Sequence, residues 1–379
     1  MNSKKIRLFI VFLLLFFAIF SVNIYAYDLS YINEEINVDD LFNSLPEDIR
    51  NNISTQTNTG NDPIEIAETY SLKSFITSLF DIFLNSLSNI ADKTLCLLAI
   101  IIILSFINVS KNTLSSPEFS RTVSLITIIG LAVYSYELLY SVWKSVEIYL
   151  STMDKAINAM LPIMTVLYTA GGNVSTAVVN STGTAFALTV LNYILQHILF
   201  PVLKICFGLT IAGSVGGING VCEIVKTIKS FFTVILSGAM TLFSIFLAFK
   251  TGIAASADGV AARTVKFAGG FVPVVGSALG ESVRSIMSGL SLIKSSIGFI
   301  GILIIVFITA PPLINVLVNK ICIDFSASIA CLIGCEPEGK FLKEINSLYG
   351  FLIAIIMCVS IVFMFELTLF TIISPSLAG

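Results

Sequence analysis

Six apolar runs separated by short polar breaks decide what this chain can fold into. A helix that crosses a bilayer needs about 20 mostly apolar residues. Thr122–Val142, Phe231–Phe249, Ile297–Val318 and Leu348–Ile373 meet that length. Thr94–Val109 is a little short but extends backward. Thr184–Leu203 is long enough but is interrupted by Asn192, Gln196 and His197. Composition agrees: 56% of residues are hydrophobic and 12% charged, with a mean hydropathy of +0.94. Soluble domains carry about 25% charged residues. The expected class is all-α, a polytopic helical membrane protein with six spans, in contact with membrane lipid and not with nucleic acid.

The net charge of −3 averages two unlike regions. Tyr27 to Lys93 holds twelve acidic and three basic residues, whereas Thr94 to the end holds twelve and fifteen. Ahead of the acidic region, Lys4, Lys5 and Arg7 precede an apolar run, Leu8–Phe20, with small Ala26 beyond it. That pattern predicts a signal peptide over 1–26 and export of the acidic region. Residues 27–61 are polar and loosely ordered by composition. Asp62-Pro63 resembles a helix start. From there Ile66, Tyr70, Phe75, Ile76, Leu79, Phe80, Phe83, Leu87 and Ile90 recur at three- and four-residue steps. The spacing predicts an amphipathic helix over 62–93, leading into the first span. Its apolar face must meet a membrane surface or a partner.

The remainder divides into a first helical hairpin, 94–150, and two repeat units, 151–264 and 265–379. Leu161-Pro162-Ile163 is echoed by Val272-Pro273-Val274, and Pro201 by Pro312. Lys204-Ile-Cys206 returns as Lys320-Ile-Cys322, and Lys226-Thr-Ile-Lys-Ser-Phe-Phe as Lys343-Glu-Ile-Asn-Ser-Leu-Tyr. The offsets grow from 111 to 117 residues without a change of order. Two spans per unit give both copies one orientation, so the expectation is a pair of parallel tandem repeats.

Residues 269–298 are too polar for an ordinary span. Leu279, Val283, Ile286, Leu290, Ile293 and Ile297 are spaced by steps of four and three, which places them in one helical seam. Gly276 with Gly280, and Ser285 with Gly289, have the small-xxx-small spacing that lets helices approach closely. Pro273 suits a helix start. The stretch is therefore expected to be an amphipathic packing helix, lying flat or re-entrant. Topology is harder to read. Short cytoplasmic loops should be rich in Lys and Arg, but a cleaved signal and six spans would leave Lys250, Arg263, Lys266, Arg284 and Lys294 outside.

Chemistry is sparse. His197 is the sole histidine. Asn192 with Gln196, and Tyr193 with His197, share one side of a helix, and polar groups at membrane depth should face other helices or water. Glu366 lies inside a span and is a functional candidate for the same reason. No nucleophile–base pair, metal set or phosphate loop is evident: Cys331 and Cys335 have no histidine nearby, and Gly213–Gly220 lacks a Gly-Lys-Ser/Thr ending. No catalytic residue, cofactor or metal is expected.

The signal, the acidic exported segment and the repeated membrane region resemble the stage III sporulation protein AE family of endospore-forming bacteria. The most specific part is Phe271–Gly298, opening FVPVVG and closing KSSIG. The resemblance implies a subunit of a channel-like or secretion-like assembly in the mother-cell membrane around the forespore. It also implies partners: other membrane proteins of the same operon, a secretion-type ATPase and a forespore-membrane protein. The residue pattern alone leaves a rival open, an independent secondary transporter for a small solute.

Overall fold

The computed structural model describes residues 72–113, 117–216, 219–269 and 276–372. The expected signal peptide, the acidic segment up to residue 71, and Pro273 lie outside the described residues. All described secondary structure is helical. We number the helices α1 (Leu72–Thr113), α2 (Pro117–Ala170), α3 (Val174–Val178), α4 (Ala185–Tyr193), α5 (Phe200–Gly216), α6 (Asn219–Gly269), α7 (Gly276–Leu332) and α8 (Glu336–Ile372). Two π-helical turns, Val179–Thr184 and Ile194–Leu199, join α3 to α4 and α4 to α5. Together they make one rod from 174 to 216.

Six stretches are long and apolar enough to cross a membrane: Phe80–Ile107, Leu125–Ala170, Val174–Ser214, Glu223–Lys250, Ile293–Leu332 and Glu336–Ile372. Each contains or largely overlaps one of the six expected runs. At 1.5 Å rise per residue, the 54-residue α2 and 57-residue α7 are roughly 80–85 Å long. The apolar core of a bilayer is only about 30 Å thick, so both extend beyond it. α1 runs unbroken from Leu72 into its span.

Glycines set two sharp reversals. α2 ends at a turn where Gly172 has φ 78°, and Asn173 N–H reaches back to Tyr168 C=O at 2.9 Å. α7 ends at Gly334, φ 85°, with Cys335 N–H on Ala330 C=O at 2.8 Å. A left-handed residue followed by a six-to-one hydrogen bond satisfies the carbonyls at a helix end, and glycine adopts it without steric cost. Glu336 and Pro337 then open α8, a position that suits proline because its missing N–H would be unpaired anyway.

α7 and α8 form the central hairpin, and the spans of these two helices are the most buried. The seam over 279–297 does not end at a separate flat or re-entrant element. α7 continues without a break to Leu332. The seam continues as well: Leu290, Ile293, Ile297, Ile300, Ile304 and Phe307 are all buried, again at steps of three and four. The physical reason is that one helical face can be continued from a half-polar stretch into an apolar one, so composition changes along α7 while periodicity does not. Opposite it, α8 buries Phe341, Ile345, Leu348, Leu352, Ile355, Val359 and Val362. A small polar network crosses this core. Tyr149 Oη on α2 lies 2.8 Å from Ser360 Oγ on α8, which is 2.9 Å from Thr309 Oγ1 on α7. Hydroxyls that satisfy one another tie three helices without leaving a donor stranded in an apolar interior.

Candidate functional site in the bundle interior

Charge is scarce at membrane depth, so a charged side chain enclosed there needs a reason. Lys250 and Glu366 are such a pair, with side chains 1% and 5% exposed. The elements that bring them together start at the Gly172 turn. After it, the π-helical turn Val179–Thr184 sets Asn180 and Thr184 four residues apart, and both are buried. Gly183 keeps this turn thin: a Cβ there would lie 3.3 Å from the Phe246 ring tip of α6. Lys250 is one helical turn beyond Phe246, so both lie on the side of α6 that meets the π turn. Glu366 comes from α8, on the same face as Val359, Val362 and Phe370.

The ammonium of Lys250 donates to Asn180 Oδ1 at 2.8 Å, to Thr184 Oγ1 at 2.8 Å and to Glu366 Oε1. An ammonium has three donors, and here all three are used. Thr184 Oγ1 in turn donates to Glu366 Oε1 at 3.4 Å. An isolated buried charge is very costly, so pairing plus full hydrogen bonding is the condition for Lys250 to be there at all. Two atoms of the cluster stay unpartnered among the described residues, Asn180 Nδ2 and Glu366 Oε2. π turns leave backbone carbonyls out of the regular ladder and recur at functional sites.

A second buried cation adjoins this cluster. Lys294 of α7, 3% exposed, places its Nζ 4.8 Å from the ring centre of Tyr168 and 5.1 Å from that of Phe370. The two rings meet edge to face at 5.3 Å. Ring faces attract a cation, most strongly when it is desolvated. Lys250 and Lys294 are two of the five basic residues that conflict with a simple loop topology. Both are inside the bundle and so do not count as loop charges.

Of the residues singled out from sequence, Glu366 lies in this cluster. Asn192 and Gln196 are half-buried and bonded to each other, Nε2 to Oδ1, at 2.9 Å. Tyr193 and His197 are exposed and stacked, with centroids 4.7 Å apart and planes 10° apart. All four belong to α4 and the second π turn, away from Lys250. Pro162 is inside α2 and exposed, between buried Leu161 and Ile163. Gly276, Gly280, Ser285 and Gly289 are in the helical backbone of α7, and their side-chain surroundings lie outside the described residues. Asn180, Thr184, Lys250 and Lys294 do not stand out as a site in the sequence. One signal points to the pairing: the repeat offset of 116 residues that relates Lys204 to Lys320 also relates Lys250 to Glu366.

Comparison with known proteins bears on the whole chain. No solved structure matches. A curated relative, stage III sporulation protein AE of Bacillus subtilis (strain 168), is 24% identical over 259 residues. The match covers 68% of this chain and 64% of the relative, so it spans less than two thirds of that protein's length. The family profile described as stage III sporulation protein AE matches residues 60–374, which takes in every described helix. The chain therefore belongs to the stage III sporulation protein AE family.

Proposed function

We propose that this chain is a non-enzymatic, multi-spanning subunit of a sporulation-specific channel or secretion-like complex in the mother-cell membrane around the forespore. Its partners in this reading are other stage III membrane proteins, a secretion-type ATPase and a forespore-membrane protein, and residues 1–26 act as its export signal. The observation that carries the subunit reading is the outer face of α6. The α6 span is the least enclosed of the six, 17% buried against 67% for α7. Yet its outward residues include Thr233, Ser237, Gly238, Thr241 and Ser244, all exposed. Lipid has no preference for small polar side chains, whereas membrane helix–helix contacts are enriched in them. The exposed Phe80, Phe83, Leu84 and Leu87 of α1 offer a second apolar surface for a partner.

Two like-built halves are part of the same proposal. Support comes from register. Where α6 meets α8, the paired residues are separated by 115 (Lys229–Glu344), 116 (Lys250–Glu366) and 118 positions (Met240–Cys358). Those separations are close to the repeat offsets in the sequence. Parallel repeats related by an axis along the membrane normal bring equivalent residues face to face at that axis.

Gly238 gives a clean test, because a Cβ there meets nothing within 4 Å. Gly238→Leu is expected to leave the isolated chain folded, with a melting temperature no lower than that of the wild type. It is expected to abolish co-purification with the other stage III membrane proteins and to block spore formation. Gly208→Leu, also in open space on α5, is the control. Normal assembly and sporulation by the Gly238 variant would count against the subunit reading.

The buried Lys250–Glu366 pair favours a second reading, an independent secondary transporter, since intramembrane ionic pairs recur along substrate and proton paths. Solute flux by the purified chain alone in liposomes would favour it over the assembly.

A further inference from the structure

Glu366 has two oxygens in unlike settings. Oε1 accepts from Lys250 and Thr184. Oε2 has no partner among the described residues, although the residue is only 4% exposed. Glu366 is also the ionisable wall of a cavity of about 10 Å³ between α2, α7 and α8, otherwise walled by apolar side chains that include Met160, Met164 and Ile305. A space of that size holds about one water. A carboxylate oxygen in such surroundings is satisfied by taking up a proton, which removes its charge.

The other side of the cluster tolerates that change. If Glu366 becomes neutral, Lys250 keeps two neutral acceptors, Asn180 Oδ1 and Thr184 Oγ1. We infer that Glu366 is a proton-binding site, exchanging one proton by way of the cavity between α2, α7 and α8, with the Lys250 ammonium as its resting counter-ion. The step is simple to balance: a hydronium O–H bond breaks, an O–H bond forms at the Glu366 carboxylate, and water is returned. The cluster gains one positive charge. The groups facing Glu366 are Lys250 from α6, Asn180 and Thr184 from the π turn, and Tyr168 from α2, within electrostatic reach. Lys294 from α7 lies beyond, over the Tyr168 and Phe370 rings. None of these is a second carboxylate that could take the proton instead. The inference is independent of the assembly reading, because it concerns the chain without its partners.

The test is infrared difference spectroscopy on the purified full-length chain in lipid nanodiscs, taken from about pH 8 to about pH 4. The wild type is expected to gain a protonated-carboxyl band reversibly on acidification, with a deuterium shift. Glu366→Gln is expected to lack the component of that band contributed by the buried carboxyl. Lys250→Met, which removes the counter-ion, is expected to change the pH at which the band appears. Should Glu366→Gln fail to fold, Glu366→Asp keeps a carboxyl and is expected to move the band rather than delete it. A wild type whose spectrum does not differ from that of Glu366→Gln, while circular dichroism shows both folded, would make the pair purely structural and overturn the inference.

Discussion

Replacing Lys250 with Met lowers the unfolding free energy by about 3–5 kcal/mol, because the buried Glu366 carboxyl loses its counter-ion. Glu366 is enclosed by α8, α6 and the π turn, and Lys250 is its one cationic hydrogen-bond donor among the described residues. Glu366→Leu alone is expected to cost less, because the ammonium keeps two neutral acceptors, Asn180 Oδ1 and Thr184 Oγ1, and loses only its counter-charge. The double variant, Lys250→Met with Glu366→Leu, is expected to recover most of the loss. Both charges are then gone, and well-packed apolar replacements of a buried pair are often neutral or better. Equilibrium unfolding in mixed micelles measures all three variants. Single variants that each cost under about 1 kcal/mol, the range of exposed pairs, would mean that water reaches the site.

Gly339→Val is expected to open the α7–α8 hairpin. Gly339 is in the first turn of α8, directly after the Gly334 reversal. A Cβ there runs into Cys331 Sγ and comes within 3.0 Å of the Ala327 carbonyl oxygen and 3.3 Å of the Cys331 nitrogen. A thiol can rotate, but backbone atoms of α7 move only if the two helices separate. Overpacking of that kind costs about 1–3 kcal/mol. Gly339→Ala is expected to fall in this range and Gly339→Val at or beyond its upper end. Gly350→Ala on the same helix is the control, since its Cβ meets nothing within 4 Å. There the helix should gain about 0.5–1 kcal/mol from the lower backbone entropy of alanine. If thermal unfolding gave the same midpoint for the Gly339 and Gly350 alanine variants, the close approach of α7 and α8 would be wrong.

The spans are legible in the sequence because bilayer thickness turns hydropathy into length, and the six apolar runs correspond to six stretches long and apolar enough to cross a membrane. The described part of the seam of α7 is legible from Leu290 to Ile297 for a similar reason: a 3.5-residue period survives a change of composition. What the pattern does not reveal is that the seam runs on to Phe307 within one helix, since apolar residues on every side of a span hide the face that packs. The ionic cluster is half legible. Glu366 stands out as an acid in a span, but Lys250 reads as a misplaced loop charge. Its partners are 66 to 116 residues away, and no local period encodes a contact over that distance. Asn180 and Thr184 are invisible for another reason. They look like ordinary small polar residues, and a π turn has no strong composition signature.

α6 and α8 lie side by side around the Lys250–Glu366 pair, and on that arrangement the rest depends. Met240 Sδ and Cys358 Sγ are 2.8 Å apart at that contact. In a chain whose other cysteines are replaced by serine, Met240→Cys is therefore expected to be joined to Cys358 by a short bifunctional thiol reagent in native membranes. The product would be an internally linked monomer, and a control with the cysteine at exposed Leu242 should give none. Failure of the Met240 variant to cross-link, together with rapid labelling of Cys358 by a membrane-impermeant maleimide, would contradict this arrangement.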